Sequence, residues 1–190
     1  MSSVLRRGLG RKRVAVAILL GALSLSGGGS PAADLPAAVS AAGAHARIDA
    51  AVVARIVGSA NPMLSPRELE RIGGAVVRYS AKYDLDPELV TAVLLVESGA
   101  RPWVRSPKGA MGLMQVMPEM LEPMALAGNS TTIESNVEAG CFILAHNIRR
   151  LGEAEGISAY FWGNEIRSDG YLQRVQARRA ELRRLLDSNA

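Results

Sequence analysis

A glutamate at the end of an apolar segment, followed by glycines and methionines, is the part of this sequence best suited to chemistry. Glu97 ends the segment 88–97, which otherwise holds mostly Leu, Val, Ala and Thr. A carboxyl group on an apolar helix loses contact with water, and this desolvation raises its pKa. Such a group can stay protonated near neutral pH and donate a proton to a leaving group. The glycines that follow, Gly99, Gly109 and Gly112, allow a backbone to approach a ligand closely. The segment therefore predicts a general acid beside a groove for a polymeric substrate.

Helix signals surround this segment and predict a mainly helical domain. Ser65-Pro-Arg-Glu68 is a capping box with Pro at the first helical position, and it predicts a helix that runs to about residue 83. Asp86-Pro87 repeats the signal and predicts a helix over 87–98. Residues 99–118 hold three Pro and three Gly, which indicates a loop with a small hairpin. Further helices are predicted at about 119–127, 135–151, 157–163 and 171–187.

The first third of the chain has a different composition. Residues 2–13 carry five basic side chains and no acid, and an apolar run to residue 25 and a Gly-, Ser- and Ala-rich stretch follow. This layout predicts a signal peptide over 1–33, because the apolar run is shorter than the roughly 20 residues of a membrane span. An uncleaved anchor is the alternative, and the export route stays open although Arg6-Arg7 is compatible with a twin-arginine signal. Residues 34–64 are interpreted as an Ala- and Pro-rich linker with one helix at about 45–57, and residues 65–190 as the folded domain.

The charge balance argues against a nucleic-acid partner. The whole chain carries 22 basic and 18 acidic residues, but five of the basic residues and none of the acids lie in the predicted leader. Removing it leaves 17 basic against 18 acidic residues, so the high isoelectric point reflects the leader and not the domain. Cys141 is the only cysteine, so an intrachain disulfide is excluded. No phosphate-binding loop or zinc motif is present, and we expect no cofactor and no metal.

The segment Glu97-Ser-Gly, together with Gly109-Ala-Met-Gly-Leu-Met-Gln115, resembles the signature of the soluble lytic transglycosylase family, which is related in fold to goose-type lysozymes. Weaker matches follow downstream in Asn136-Val-Glu-Ala-Gly140, in Ala159-Tyr-Phe-Trp-Gly163 and in Tyr171-Leu172 with Val175. The resemblance covers about residues 66–178. It implies a mainly α, lysozyme-like (α+β) fold: a single helical domain with a small loop or hairpin by the active site.

The resemblance also implies site residues. Glu97 corresponds to the single catalytic acid and base. Substrate-binding roles are implied for five further residues: Ser98, Met114, Gln115, Tyr160 and Phe161. Among these, Tyr160 corresponds to an aromatic residue that faces the acid across the cleft. Phe161 replaces the Asn that is usual in the family, and Arg167 replaces a common Glu, so the contacts on the product side depart from the family pattern.

The function implied is that of an exported lytic transglycosylase of peptidoglycan, located in the periplasm or cell envelope. Ordinary glycosidases use two carboxylates, and no second acid lies inside the signature. In the family, one glutamate protonates the glycosidic oxygen and then deprotonates the muramyl 6-hydroxyl, which closes a 1,6-anhydro ring. Two alternatives stay open: a lysozyme-type hydrolase, and a non-catalytic glycan-binding component of a secretion or pilus apparatus. The expected partners are peptidoglycan glycan strands, with that envelope machinery as a further candidate, and the expected state is a monomer.

Overall fold

A computed structural model describes residues 48–121 and 132–187 of the chain. These residues form seven helices: α1 (Ala50–Ala60), α2 (Pro66–Tyr83), α3 (Pro87–Ser98), α4 (Pro118–Leu121), α5 (Ile133–Leu151), α6 (Glu153–Trp162) and α7 (Gly170–Asp187). Within the described residues, strand pairing is limited to two isolated bridges that both involve Met111. The prediction of a mainly α fold is confirmed, and these bridges lie in the loop where a small hairpin was predicted.

Local capping interactions determine where α2 and α3 begin. The Ser65 hydroxyl accepts a hydrogen bond from the Glu68 N–H, and the Glu68 carboxylate accepts one from the Ser65 N–H at 2.8 Å, which completes the predicted capping box. The Asp86 side chain caps α3 through the Glu88 N–H at 2.9 Å. Pro occupies the first helical position in both helices, where its missing N–H has no consequence.

Helix α3 is the central element of the fold, because it is apolar on all sides. Nine of its residues are buried, among them Leu89, Val93 and Leu94. A helix that is apolar all round must be covered on every face, and α3 packs against α1, α2 and α7. The helix that carries Glu97 is therefore held firmly by its neighbours.

Helix α1 overlaps the helix predicted at about 45–57 within the linker, and the structure packs it into the same core. Val53 and Val57 lie four residues apart on one face, are fully buried, and belong to the cluster that includes Ile72 and Val93. The spacing of four places both side chains on the face that packs against α2. Among the described residues, the compact body therefore begins before residue 65.

A cluster of charged side chains joins α7 to the start of α3. The Arg179 guanidinium contacts the carboxylates of Asp86, Glu88 and Glu153, each at 2.7 Å, and Arg183 contacts Glu88 at 2.8 Å. Glu88 is 93% buried, so these arginines offset the cost of desolvating its charge. The cluster connects α3, α6 and α7, the helices that carry Glu97, Phe161 and Tyr171.

No helix in the described parts of the chain is both long and apolar enough to cross a membrane. The predicted leader over 1–33, residues 34–47 of the predicted linker, and residues 122–127 of the helix predicted at 119–127 lie outside the described residues. The domain boundaries stay predictions.

Candidate active site

Glu97 lies in the last turn of α3, where the chain turns away from the core. Gly99 ends the helix in the left-handed conformation, with φ at 59°, and its N–H donates to the Leu95 carbonyl at 3.0 Å. Ala100 follows with φ at 61°, which is uncommon for a residue with a side chain, and it is fully buried. The Asn61 amide donates to the Ala100 carbonyl at 2.9 Å and so secures this turn. Glu97 is therefore half-buried between a rigid helix and an unusual turn.

The carboxyl of Glu97 lies in an environment that favours its protonated form. Burial raises its pKa, while a hydrogen bond from Tyr171 and the positive charge of Arg174 oppose this rise and leave a net increase. The Tyr171 hydroxyl donates to Glu97 Oε1 at 2.6 Å. Among the described residues, no donor contacts the other oxygen, Oε2. One oxygen is thus held in place while the other can carry a transferable proton.

Tyr171 serves as a permanent donor to Glu97. Its side chain is 98% buried at the start of α7. Burial and the nearby Glu97 carboxyl raise the pKa of Tyr171 far above its ordinary value, so the phenol does not ionise. A phenol that keeps its proton can only orient the carboxyl, and proton transfer is left to Glu97. This geometry provides a general acid with a defined orientation.

The loop between α3 and α4 folds into a tight hairpin-like turn. Met111 and Val116 exchange two backbone hydrogen bonds of 3.0 Å. Gln115 has φ at 48°, a second non-glycine residue of this loop in the left-handed region. Its amide nitrogen donates to the carbonyls of Val104 and Gly112, at 3.2 and 3.0 Å. Strained backbone of this kind is concentrated at functional sites in proteins.

Asn136 on α5 secures this turn from the core side. Its amide nitrogen donates to the Met111 carbonyl at 2.8 Å, and its amide oxygen accepts from the Met114 N–H at 2.8 Å. A side chain at Gly112 would approach the Asn136 amide to about 2.6 Å, which is closer than atoms can pack. The glycine therefore makes room for the amide that holds the loop, in addition to adopting a φ of +76°.

Met114 and Tyr160 connect the loop to the core. Met114 is fully buried, and its Cβ lies 2.5 Å from the position that a Cβ on Gly140 would take. The Tyr160 hydroxyl donates to the Met114 carbonyl at 2.8 Å. Burial and the charge of Glu97 raise the pKa of Tyr160, and the hydrogen bond of its hydroxyl is to the loop and not to the acid. Met114 has its side chain in the core and both backbone polar groups bonded.

Ser98 is 99% buried, and its hydroxyl donates to the Leu94 carbonyl one helical turn back, at 3.1 Å. Within the described residues, this is its one side-chain hydrogen bond. The hydroxyl supports the end of α3 and leaves only its acceptor capacity for other contacts. The predicted glycan contacts of Ser98 and Met114 stay predictions, and the buried positions of both side chains favour roles in support of the loop and helix.

Phe161 is an exposed aromatic residue beside Tyr171, with half of its surface accessible. Its ring stacks on Tyr171, with 5.0 Å between centroids and 16° between planes, and meets Trp162 edge to face at 5.0 Å. The Arg174 guanidinium lies 5.8 Å from the centre of the Phe161 ring and 5.5 Å from that of Tyr171.

The sequence interpretation missed three residues of this site. Tyr171, Arg174 and Asn136 contact or influence Glu97 or its loop, but none was assigned a role there. Tyr171 and Asn136 both lie in segments that resemble the family pattern, which was the available signal. No such signal pointed to Arg174, because in the sequence it is one of several arginines on a helix face.

Comparison with known proteins identifies the family to which the chain belongs. The sequence model of the family described as "Transglycosylase SLT domain" matches residues 75–180, a range that includes all the site residues above. The chain is 38% identical over 95 residues to a protein named "Transglycosylase" from Enterobacteria phage PRD1, which covers 50% of this chain and 34% of the phage protein. It is 50% identical over 38 residues to "Endo-type membrane-bound lytic murein transglycosylase A" of Klebsiella pneumoniae, which covers 20% of this chain and 19% of that protein.

A solved structure, an inactive mutant of lytic transglycosylase Slt from Pseudomonas aeruginosa, matches 58% of this chain and 22% of that one, at 20% identity and a TM-score of 0.43. The matched region is about a third of the phage relative's length and about a fifth of the Klebsiella relative's.

Proposed function

The chain belongs to the transglycosylase SLT domain family, and from this membership and the geometry around Glu97 we propose that it is a lytic transglycosylase acting on peptidoglycan. The observation that supports the proposal most directly is the half-buried Glu97 carboxyl, with Oε1 bound to Tyr171 and a raised pKa. The polar side chains that shift this pKa are Tyr171 and Arg174, and neither is a carboxylate. The site is thus suited to a mechanism with one acid.

In the proposed reaction, Glu97 takes part in two proton transfers, first as an acid and then as a base. It first donates its proton to the glycosidic oxygen that links the muramyl C1 to the next sugar, and the C1–O bond breaks. The Glu97 carboxylate then takes the proton of the muramyl 6-hydroxyl, and O6 bonds to C1. Glu97 regains its proton, and water is not consumed. The substrate's acetamido oxygen can assist departure of the leaving group, as in other substrate-assisted glycosidases.

Tyr171 supports both steps through the same hydrogen bond. In the protonated acid, it holds Oε1 so that the proton resides on the oxygen that faces the substrate. In the carboxylate formed after the first transfer, its O–H stabilises the negative charge, because hydrogen bonds to a charged oxygen are stronger than those to a neutral one. Tyr171 therefore acts as a positioning residue.

In the same proposal, Gln115 and Phe161 contact the glycan. The Gln115 amide oxygen has no hydrogen-bond partner among the described residues, and it can accept a bond from a glycan hydroxyl. Phe161 offers an exposed ring for the apolar face of a sugar. Because peptidoglycan lies outside the cytoplasmic membrane, the proposal places the protein in the cell envelope, in agreement with the predicted leader. N-terminal sequencing of the exported protein tests leader cleavage.

Mass analysis of digested peptidoglycan tests the proposal. Glycan ends that are lighter by one water than free reducing ends would support the transglycosylase, since the anhydro ring forms without hydrolysis. Reducing ends would instead identify a hydrolase, and intact glycan with measurable binding would identify a non-catalytic glycan-binding protein.

A further inference from the structure

Arg174 is placed where a substrate bound at Glu97 would meet it. Its guanidinium carbon lies within 6 Å of the ring centres of both Phe161 and Tyr171, the range in which a cation is attracted to an aromatic face. Tyr171 in turn donates to Glu97 at 2.6 Å. The positive charge of Arg174 lowers the pKa of Glu97, against the larger effect of burial.

The charge of Arg174 is not neutralised by an ion pair in the described part of the chain. Three other arginines of α7 are paired: Arg178 with Glu181 at 2.7 Å, Arg179 with three carboxylates, and Arg183 with Glu88. Arg184 is exposed and, like Arg174, has no ion pair among the described residues. Arg174 is exposed, and no carboxylate of the described residues lies within ion-pair distance of it. Within the described residues, its guanidinium lies against the rings of Phe161 and Tyr171.

A guanidinium in this position is prepared to bind an anion. The group is planar and carries five N–H donors in a fixed arrangement that matches a carboxylate, with two parallel hydrogen bonds. The N–H groups of Arg174 make no hydrogen bond to the described residues, so all of them are available. Holding a long side chain against two rings also reduces the conformational entropy that binding would otherwise cost.

We propose that Arg174 is a specificity residue that binds a carboxylate substituent of the glycan, beside the bond that Glu97 cleaves. This inference rests on the proposed function, because it assumes a glycan at Glu97. The ligand class is a muramyl-containing glycan with a free carboxylate. That carboxylate has two sources in peptidoglycan: the lactyl group of a muramyl residue without a peptide, and the acidic groups of a stem peptide.

Binding to the Glu97→Gln protein tests the inference without turnover. Calorimetry would compare four muramyl oligosaccharides: one with a free lactyl carboxylate, one with that carboxylate converted to a primary amide, one with a stem peptide whose carboxylates are free, and one with the same peptide amidated. We expect the free carboxylate to bind about tenfold more tightly than the amide, as a charge-assisted hydrogen bond allows. If the peptide-bearing glycan binds as well as the free acid only when its own carboxylates are unamidated, the stem peptide is a second source of the same contact.

Variants of α7 connect this preference to Arg174. Arg174→Gln should abolish the difference between acid and amide, and Arg174→Lys should keep part of it, because a lysine retains the charge but not the planar pair of donors. Arg184→Gln is the matched control. It removes the same charge from the same exposed helix about 15 Å further along the axis, and the preference should persist.

Equal affinity of the Glu97→Gln protein for the acid and the amide would overturn the inference, even if Arg174→Gln did not fold. Loss of the preference in Arg184→Gln would also overturn it, because the effect would then be one of net charge. Failure of both glycans to bind would overturn it as well. None of these results affects the product analysis of the unmodified protein, which tests the proposed function on its own.

Discussion

The Tyr171 hydroxyl lies 2.6 Å from Glu97 Oε1, although 74 positions separate the two residues in the chain. This hydrogen bond joins the last turn of α3 to the first turn of α7. Tyr171 is buried and Glu97 is half-buried, and burial raises the pKa of Tyr171 far above its ordinary value, so the phenol remains a donor. The contact gives the carboxyl a fixed orientation and opposes the effect of burial on its pKa.

Removing this hydrogen bond should change the pH dependence of cleavage. Tyr171→Phe keeps the ring that stacks on Phe161 but loses the donor that favours the charged form of Glu97, so the pKa of Glu97 should rise further. A general acid is lost as pH rises through its pKa, and the alkaline limb of activity should therefore move to higher pH. Initial rates of glycan release across a pH series measure this. Tyr83→Phe, which changes a tyrosine paired with Glu138, is the control and should leave the profile in place. A shift toward lower pH in Tyr171→Phe would contradict the account.

Because the pKa of Glu97 is raised in the folded state, the free energy of unfolding should decrease as pH rises. The folded protein retains a proton on this carboxyl that the unfolded chain releases. The contribution of Glu97 to stability is therefore complete below the ordinary pKa of a glutamate and is lost as pH rises through the folded-state pKa. Glu97→Gln has no such dependence. The melting temperature of Glu97→Gln minus that of the unmodified protein should therefore be larger at pH 7 than at pH 4. A difference that stayed constant between the two pH values would contradict the raised pKa.

The close contact between Gly140 and Met114 should be sensitive to a single methyl group. A Cβ at position 140 would lie 2.5 Å from Met114 Cβ, so Gly140→Ala forces the loop or α5 to move. Overpacking of a core costs about 1–3 kcal/mol, which exceeds the gain of about 1 kcal/mol from the better helix former. We expect a lower free energy of unfolding and weaker glycan cleavage.

The chain offers a matched control for that substitution. Gly74 lies in α2, and a Cβ there would meet nothing within 4 Å. Gly74→Ala should therefore stabilise the protein by about 0.5–1 kcal/mol and leave cleavage unchanged. Denaturant unfolding of both variants measures the difference, and similar effects at the two positions would show that the contact with Met114 is unimportant.

Phe161 should affect glycan affinity more than proton transfer. Its ring is half exposed and stacks on Tyr171, so Phe161→Asn removes an apolar contact for a sugar without opening the core. We expect binding of a muropeptide to the Glu97→Gln protein to weaken about two- to tenfold, which corresponds to about 0.5–1.5 kcal/mol for a stacked ring. Ile166→Asn, at another exposed apolar residue, should have no effect. Unchanged affinity in Phe161→Asn would place Phe161 outside the groove.

The helices near the site could be predicted from sequence because their signals are local. The capping box at Ser65 and the Asp86-Pro87 start act within four residues, and the structure begins α2 and α3 at those points. A helix was predicted at about 45–57, and α1 overlaps it, but its place in the core was not predicted, because its two core valines lie in an Ala-rich segment whose composition is typical of a linker. Helix α6 begins at Glu153 and not near 157, because Gly152 ends α5 and starts α6 without a side-chain cap.

The contacts of the site could not be predicted in the same way. The resemblance placed Tyr160 opposite the acid, and the structure binds the Tyr160 hydroxyl to the Met114 carbonyl, while Tyr171 contacts Glu97. The two tyrosines are 11 positions apart and lie on different helices, and the packing of α7 against α3 decides which hydroxyl meets the carboxyl. Whether Arg174 forms an ion pair likewise depends on which carboxylates face α7, and this cannot be read from the sequence.

The central claim is that Glu97 alone transfers the proton, and the cleavage rate of Glu97→Gln on purified peptidoglycan tests it most directly. The substitution keeps the size of the side chain and an oxygen for Tyr171 but removes the transferable proton. The account predicts a rate at least about 10²–10⁴-fold lower, with the protein still folded, and near-native cleavage by the control Glu119→Gln, an exposed acid at the end of the loop. Cleavage by folded Glu97→Gln at a near-native rate, with the same products, would contradict it.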